Sequence, residues 1–354
     1  MNGRVAVVVS GFPRLSKTFA LNELLALDRR GLLAGVFATK PGRAEAVHPD
    51  AARLAPRVHR LAPGGPAEQA AELAGRSVRG VHGYFAHTPV EVAAGAAAEL
   101  GVPYGFSVHA LDARKTAPSA LAARARGARC VLACNPDVAD TLASAGAAAT
   151  LSPHGVDLAR FAVGPRPASA ELALLAVGRL VAKKGFDVLL RAFALMARPA
   201  RLRIVGEGDE RVRLESEAAR LGVAGRVCFA GALTHDHLPA EYAAAADVVV
   251  APCVQDAAGD RDGLPNVVLE ALAAGRAVVA SDLSAIGTAV RHGVNGLLTP
   301  PGDPAALAAA LDRLGGEPGA LDAFAAAGRR VAEQRFELGA CTARFVGLLE
   351  GAYG

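Results

Sequence analysis

A short segment of the chain combines two carboxylates with the start of a helix. Asp262 precedes Gly-Leu-Pro, and Glu270 is the only charge in the Val-, Leu- and Ala-rich run that ends at Gly275. Pro265 suits the first position of a helix and Gly275 suits the position after its end. A carboxylate inside an apolar run is costly to bury unless something hydrogen-bonds to it. The spacing therefore indicates two acids aimed at a polyhydroxylated ligand beside a helix N-terminus.

A second segment carries cations. Gly178-Arg-Leu-Val-Ala-Lys-Lys-Gly185 directly follows a predicted strand and places Arg179, Lys183 and Lys184 just before a helix. Cations beside a helix N-terminus form a diphosphate site. The alternative is a solvated loop between a strand and a helix. The position after the first strand of a domain favours binding.

Three further features follow predicted strands. Gly206 and Gly208 lie in Val-Gly-Glu-Gly-Asp, which is weak support for a ligand site and also fits a tight turn. Gly11 follows the first strand, where it lets a ligand approach the backbone. His109 ends another strand, a position that favours a functional role over a structural one. His154 is interpreted as structural or interdomain.

Several chemistries lack support in the sequence. The phosphate-binding pattern GxxxxGK[ST] and the nucleophile pattern GxSxG are absent. The five cysteines form no CxxC pair, which favours reduced thiols in a cytoplasmic protein. The nine histidines are scattered without metal-ligand spacing, so we expect no metal. The N-terminus is interpreted as a strand rather than a signal peptide.

Charge is unevenly distributed along the 354 residues. Residues 1–161 hold 18 basic and 12 acidic residues, whereas residues 162–354 hold 20 and 22. The basic N-terminal half suggests an anionic partner such as a lipid phosphate or the inner face of a membrane, although scattered solvated arginines explain it as well. No basic cluster is interleaved with aromatic residues, which argues against nucleic acid.

The hydrophobic pattern alternates short strands with Ala-rich helices in two successions. The predicted strands are Arg4–Ser10, Leu33–Ala38, Val58–Leu61, Gly80–Ala86, Tyr104–Val108, Arg129–Ala133, Leu172–Val177, Arg201–Val205, Arg226–Ala230, Asp247–Ala251, Ala277–Ser281 and Gly296–Thr299. The predicted helices are Lys17–Arg30, Thr88–Leu100, Pro118–Arg126, Pro136–Ala145, Phe186–Met196, Glu210–Leu221, Leu238–Ala245, Pro265–Ala274, Ser284–His292, Pro304–Leu314 and a tail over Leu321–Tyr353. Two such successions predict an α/β protein with two doubly wound, Rossmann-like domains facing a central cleft.

These motifs together resemble a known family. The chain is similar to retaining GT-B glycosyltransferases of glycosyltransferase family 4, and its first half resembles the colanic-acid-type exopolysaccharide enzymes. The resemblance in the second half rests on the ordered set Gly178–Gly185, Val205–Gly208, His154-Gly-Val-Asp-Leu158 with Phe161, and Asp262–Glu270. In the first half it rests on Phe12-Pro-Arg-Leu-Ser-Lys-Thr-Phe19, Leu21-Asn-Glu23 and Ser107-Val-His-Ala110.

The resemblance implies a domain plan and a reaction. Residues 1–162 would bind the acceptor, residues 163–335 would bind a nucleotide-diphosphate sugar of UDP or GDP type, and residues 336–354 would form a helix packing back toward the first domain. The enzyme would transfer a hexosyl or N-acetylhexosaminyl group to an acceptor hydroxyl in exopolysaccharide or glycoconjugate assembly. Cations and a helix dipole would replace a metal, so no cofactor is expected.

The resemblance also assigns roles to residues. His109, Arg179, Lys184 and Asp262 would be catalytic. The donor would contact Gly11, Arg179, Lys184, Gly206, Gly208, Asp262, Gly263, Leu264, Asn266 and Glu270. Arg14 and Lys17 would lie on the acceptor side.

Two residues depart from the family pattern. Asp262 stands where the family usually has Glu, so its contact with the sugar could shift to Asp260 or to the amides of Gly263 and Leu264. Lys17 stands where the subgroup more often has Glu, so the acceptor cannot be inherited from the resemblance. A lipid-linked saccharide and a soluble natural product such as an aminoglycoside both stay open. The alternatives outside transfer are a sugar-nucleotide epimerase and a non-catalytic sugar-nucleotide-binding protein.

Overall fold

The computed structural model describes residues 3–12, 18–42, 50–166, 171–234, 236–317 and 319–354, with residue 245 described by its backbone alone. The chain forms two compact units. The first comprises Met1–Gly155 with Gly339–Gly354, and the second comprises Val156–Leu338. Among the described residues, none of the helices combines the length and apolar character needed to cross a membrane.

The first unit is a parallel sheet covered by helices. Its strands are β1 Arg4–Phe12, β2 Leu33–Pro41, β3 Val58–Arg60, β4 Val78–Gly83, β5 Tyr104–Val108, β6 Cys130–Ala133 and β7 Thr150–Leu151. Its helices are α1 Thr18–Arg29, α2 Ala51–Leu54, α3 Pro66–Leu73, α4 Thr88–Leu100, α5 Ala110–Lys115, α6 Pro118–Arg126 and α7 Pro136–Ser144, with a 3-10 turn at Ala55–Arg57. The strand order is β3-β2-β1-β4-β5-β6-β7, and all neighbours are parallel.

The second unit repeats this plan. Its strands are β8 Leu172–Val177, β9 Ala200–Val205, β10 Val227–Gly231, β11 Val248–Ala251, β12 Ala277–Ser281 and β13 Leu297–Thr299. Its helices are α8 Phe186–Leu195, α9 Arg211–Arg220, α10 Leu238–Ala245, α11 Asn266–Ala273, α12 Pro304–Gly316 and α13 Ala320–Arg335, with 3-10 turns at Ala182–Lys184, Ala224–Arg226 and Ile286–Thr288. The parallel order is β10-β9-β8-β11-β12-β13.

Both sheets grow outward in two directions from their first strand. The chain lays down β2 and β3 on one side of β1 and then crosses to β4 on the other side. In the second sheet it crosses from β10 to β11, which lies beside β8. Such a reversal opens a crevice at the carboxyl ends of the two central strands, where ligands of doubly wound sheets bind. The prediction of two doubly wound parallel sheets is confirmed.

Apolar composition explains the central strands. In β1, every residue after Arg4 is buried, and all four residues of β11 are buried. Parallel strands are covered by helices on both faces, so they read as continuous runs of Val, Ala and Leu rather than as an alternation. This is why the strands were detectable from the sequence.

The helix predicted over Ser284–His292 is wrong. The structure has only the 3-10 turn Ile286–Thr288, and Ser284 takes a positive φ of 51°. The Asn295 side chain then closes a tight turn, accepting the Arg291 N–H at 2.6 Å and donating to the Ala289 carbonyl at 2.8 Å. These local bonds replace the helical pattern.

The predicted tail over Leu321–Tyr353 is two helices, α13 and a last helix α14 at Leu338–Tyr353. The two helices are separated at Glu337, which forms a short parallel β-bridge with Val156. The Val156 N–H donates to Phe336 O at 2.8 Å, and the Leu338 N–H donates to Val156 O at 3.1 Å. Pattern analysis also missed α2, α3, α5 and β7, which are all short, and extended β4 to Ala86 although the strand ends at Gly83.

Helix α14 completes the core of the first unit. Phe345, Leu349 and Tyr353 are buried against the first sheet. The Tyr353 ring lies over Gly80, where an added Cβ would come within 2.2 Å of the ring. Its hydroxyl lies 3.1 Å from Nδ1 of His82, a fully buried residue of β4. Packing and a buried polar contact therefore hold the helix in place.

His82 makes the stability of this unit sensitive to pH. Its Nε2 lies 2.8 Å from the Ser107 hydroxyl, and burial lowers the pKa of the ring from 6.5 to about 3. The neutral ring is therefore favoured in the folded protein, whereas the unfolded chain takes up a proton near pH 6.5. The stabilisation is complete above that pH and is lost as pH falls toward 3.

We expect the free energy of unfolding to fall by up to about 1.4 kcal/mol per pH unit below pH 6.5 on account of His82. Urea unfolding at several pH values, monitored by circular dichroism, measures this slope for the wild type and for His82→Gln. The variant should show a shallower dependence between pH 6.5 and 4. Equal slopes in the two proteins would rule out His82 as the source.

Candidate functional site

The two predicted ligand-binding segments of the second unit lie at its switch point. The loop Gly178–Gly185 leaves the carboxyl end of β8, and the loop that leads to Asp262 leaves the carboxyl end of β11. The two loops contact each other directly, because the Val254 N–H donates to the Lys183 carbonyl at 2.9 Å. The sheet therefore brings together two segments separated by about eighty positions of sequence.

Backbone bonds tie the loop after β8 to the next strand. The Gly178 N–H donates to Val205 O at 2.9 Å, and the Leu180 N–H donates to Glu207 O at 2.8 Å. Gly206 has a φ of +150°, and a Cβ there would lie 1.8 Å from the Gly178 carbonyl oxygen. No side chain fits at that approach. The glycine motif thus builds the platform that supports the cationic loop.

Two lysines and two aspartates form a buried cluster on this platform. Lys184 Nζ lies 2.6 Å from Asp262 Oδ2. Lys183 Nζ lies 3.1 Å from Asp262 Oδ1 and 3.0 Å from Asp260 Oδ2. The four side chains are between 10% and 18% exposed. Asp262 therefore bridges the two ammonium groups, one through each of its oxygens.

The charges in this cluster stabilise one another. Burial opposes ionisation of Asp262, but Lys184 and Lys183 outweigh it and lower the pKa of the carboxyl from 3.8 to about 2. Burial also disfavours the Lys184 ammonium, but Asp262 outweighs it and raises the lysine pKa. Arg179, which is exposed, repels Lys184 and acts in the opposite direction. The charged forms of Lys184 and Asp262 are therefore both favoured in the folded protein.

The loop that carries the aspartates has a defined shape. The Asp256 carboxylate accepts the N–H groups of Ala258 and Asp260, both at 2.9 Å. The Asp256 N–H donates to the Asp260 carbonyl at 2.9 Å. The thiol of Cys253 lies 3.8 Å from Asp262, and burial raises its pKa to about 12. A neutral thiol and a closed turn therefore border the acids.

Helix α11 presents the second acid. The helix starts at Asn266, so Pro265 is its N-cap rather than the first helical residue that the sequence predicts. Gly275 follows the end of the helix with a φ of +64°. Glu270 is 8% exposed, and its Oε2 accepts the Tyr242 hydroxyl at 2.7 Å. Burial raises the pKa of Glu270, although the Tyr242 hydrogen bond and Lys184 oppose the shift. Glu270 thus has the hydrogen-bonding partner that its apolar surroundings require.

The first unit contains a separate cluster around His109. His109 is 8% exposed, and its backbone N–H donates to the Asp112 carboxylate at 3.0 Å. The ring lies parallel to that of His154, with centroids 5.2 Å apart, and Phe19 packs 4.3 Å from His154. His154 Nδ1 donates to Glu23 Oε1 at 2.9 Å. A buried acid therefore fixes one histidine beside the predicted catalytic one.

The structure brings several of the predicted residues together within the second unit. Lys184 and Asp262 form one ion pair, and Gly263 and Leu264 lead from it into α11. Gly206 and Gly208 shape the supporting platform through their backbones. Gly11 lies within β1 of the first unit, paired with Lys40 of β2. Arg14 and Lys17 lie outside the described residues.

Three residues that contact the predicted site residues, Lys183, Tyr242 and Glu23, were not predicted as their partners. Lys183 was identified only as one cation of a loop, and its ion pairs with two aspartates follow from loop geometry. Tyr242 sits before an Ala-rich stretch that gives no hint of its bond to Glu270. Glu23 did carry a signal, since it stands between Leu21 and Leu24 on a helix, as Glu270 does in its own apolar run. Its carboxylate accepts hydrogen bonds from Tyr84 and His154.

A family model matches the second unit. Residues 171–316 match the family described as "Glycosyl transferases group 1". This span contains the lysine–aspartate cluster, Glu270 and the glycine platform.

Curated relatives match over similar lengths. A GDP-mannose-dependent alpha-(1-6)-phosphatidylinositol monomannoside mannosyltransferase of Mycolicibacterium smegmatis is 35% identical over 196 residues, which is 54% of this chain and 50% of that protein. The amylovoran biosynthesis glycosyltransferase AmsK of Erwinia amylovora is 33% identical over 164 residues, which is 45% of this chain and 40% of the relative. The chain thus spans half or less of the length of these relatives.

Solved structures match the whole chain. HepE of Anabaena, in complex with UDP, superimposes with a TM-score of 0.82 at 20% identity and covers 98% of this chain and 100% of its own. Sucrose-phosphate synthase of Thermosynechococcus elongatus gives a TM-score of 0.79 at 21% identity, covering 98% of each chain. The likeness shows the fold, which is that of the GT-B glycosyltransferases, with two Rossmann-like domains.

We expect Gly206→Ala to lower the free energy of unfolding by at least about 2 kcal/mol, because the added methyl meets the Gly178 carbonyl at a strained φ. Gly225→Ala is the matched control, since a Cβ at Gly225 has nothing within 4 Å. Urea unfolding of both variants checks the difference. If the two substitutions cost the same, the close approach at Gly206 does not constrain the platform.

Proposed function

We propose that this protein is a retaining glycosyltransferase that moves a hexosyl or N-acetylhexosaminyl group from a nucleotide-diphosphate sugar to an acceptor hydroxyl. One observation carries the proposal. Lys184 pairs with Asp262 at the switch point of the second sheet, and the charge of Lys184 also acts on the Glu270 carboxyl. All three residues lie in the span that matches glycosyl transferases group 1. Cations suit a diphosphate, and buried acids suit sugar and ribose hydroxyls.

The roles follow from the chemistry of each group. Lys184 and Arg179 would bind the diphosphate and stabilise the negative charge that grows on the departing nucleotide. Glu270 would accept hydrogen bonds from the ribose hydroxyls, and Asp262 with the amides of Gly263 and Leu264 would contact the transferred sugar. In the first unit, His109 is the proposed contact for a sugar hydroxyl.

The reaction would proceed with retention at the anomeric carbon. The bond from that carbon to the diphosphate oxygen breaks first, and its electron pair stays on the phosphate. The acceptor oxygen then bonds to the same face of the oxocarbenium-like carbon, while its proton passes to the departing phosphate. Lysine and arginine neutralise the leaving group, so we propose that transfer needs no metal.

The similar proteins differ in the base of their nucleotide, so an experiment must identify the donor base of this protein. HepE of Anabaena was solved with UDP, and the M. smegmatis relative is named as GDP-mannose-dependent. A thermal-shift screen of UDP- and GDP-sugars separates these choices. A ligand at one hundred times its dissociation constant stabilises a protein by about 2.7 kcal/mol, which is readily measured.

Two other functions would use the same donor site. A sugar-nucleotide epimerase would isomerise the donor in the absence of any acceptor, and a non-catalytic binding protein would bind it without transfer or hydrolysis. We favour transfer because the matched family is described as glycosyl transferases and the curated relatives are named as a glycosyltransferase and a mannosyltransferase.

We expect Lys184→Ala and Glu270→Ala each to lower the rate of transfer at least tenfold, because each removes a contact with the nucleotide. The rate is measured with the nucleotide sugar found in the thermal-shift screen. Lys115→Ala is the control, since Lys115 is exposed in the first unit. Near-wild-type rates in both site variants would refute the donor-site assignment, and an inverted product anomer would refute retention.

For the acceptor we propose a lipid-linked saccharide in exopolysaccharide or glycoconjugate assembly, reached by a cytoplasmic protein at the inner face of the membrane. The excess of basic residues in the first half supports this choice. The competing acceptor is a soluble natural product such as an aminoglycoside.

We expect the protein to float with vesicles containing anionic lipid and to remain behind with neutral vesicles, because lysines and arginines are attracted to anionic headgroups. Flotation at low and at physiological salt measures the binding. Failure to float with anionic vesicles at either salt would favour the soluble acceptor.

A further inference from the structure

In the ion-pair cluster, Lys184 contacts a carboxylate of this same chain. Asp262 Oδ2 lies 2.6 Å from the Lys184 ammonium, and both side chains are less than a fifth exposed. A diphosphate that approaches this ammonium must compete with Asp262 for it. In a partly buried site that competition is strong, because water screens the ion pair only weakly.

The cluster also provides a second partner for Asp262. Its other oxygen, Oδ1, lies 3.1 Å from Lys183, which is held in place by the Val254 backbone bond and by Asp260. A buried carboxylate that lost its only cation would be destabilised strongly. With Lys183 in contact, Asp262 stays paired when Lys184 turns to another anion.

We propose that Asp262 is an internal counter-ion which the donor diphosphate displaces from Lys184, and that Lys183 is the positioning residue which retains Asp262 during this exchange. The inference rests on the proposed function, because it concerns the same donor site. The exchange leaves the Asp262 carboxylate held by Lys183 on one side and available to the transferred sugar on the other.

The exchange makes an unusual prediction about affinity. Removing a residue of a binding site normally weakens binding. Here Asp262→Asn removes the anion that competes for Lys184 and keeps the shape of the side chain. We therefore expect Asp262→Asn to bind UDP or GDP at least threefold more tightly than the wild type, while its rate of sugar transfer falls.

Lys183 should have the opposite effect. In Lys183→Met, Asp262 depends on Lys184 alone and resists displacement, so we expect nucleoside diphosphate binding to weaken at least threefold. In Lys183→Met combined with Asp262→Asn, the competing carboxylate is gone and binding should recover to the wild-type level or better. A purely structural role for Lys183 predicts no such recovery.

Asp260→Asn is the matched control. It removes one negative charge from the same cluster, leaves the Lys184–Asp262 pair intact, and keeps an amide oxygen that can still accept a hydrogen bond from Lys183. We expect its affinity for UDP or GDP to stay within twofold of the wild type. If it tightened binding as much as Asp262→Asn, the effect would come from the net charge of the cluster, and the proposed exchange would be wrong.

Isothermal titration of UDP and GDP with the five proteins is the test, and urea unfolding confirms that each variant is folded. Tighter binding by Asp262→Asn with recovery in the double variant supports the exchange. If the wild type binds and Asp262→Asn binds equally well or more weakly, the exchange is overturned. Binding of neither UDP nor GDP by any of the five proteins would instead contradict the proposed function.

Discussion

The burial of parallel strands on both faces is the constraint on which the rest of this structure depends. All four residues of β11 are buried, so polar groups are confined to the segments that follow the strands. The order of the strands then decides which of those segments meet. In the second unit the crossing from β10 to β11 places the loops after β8 and β11 side by side. Their lysines and acids form the ion-pair cluster of the candidate site for that reason.

Within that site, the surroundings give two similar carboxyls opposite characters. Asp262 touches two ammonium groups, and its pKa lies below the ordinary value for an aspartate. Glu270 touches a tyrosine hydroxyl in an apolar helix, and its pKa lies above the ordinary value for a glutamate. Opposed shifts in neighbouring acids are a common mark of sites with divided roles. Asp262 thus interacts with charged groups, whereas Glu270 interacts with a hydroxyl group.

The sequence predicted the sheets well because most of their strands are continuous apolar runs bounded by glycine or polar residues. It failed where short-range polar bonds override the pattern, as when the Asn295 side chain closes a turn in place of a helix. It also failed where a residue distant in sequence interrupts a helical pattern, as Val156 does by forming a bridge between α13 and α14. The candidate site followed a similar rule. Lys184, Asp262 and Glu270 could be identified by their types and positions, but the pairing of Asp262 with Lys183 depends on a loop conformation that no local pattern encodes.

The place of α14 has a consequence for how the chain is made. The strands of the first unit are synthesised first, yet their core includes Phe345, Leu349 and Tyr353, which are added only after the whole second unit. During synthesis the first sheet therefore lacks the helix that packs on this apolar face and contacts His82, while the second unit already has all of its own strands. The first unit therefore cannot complete its core until its last helix has been synthesised, although its strands come first in the chain.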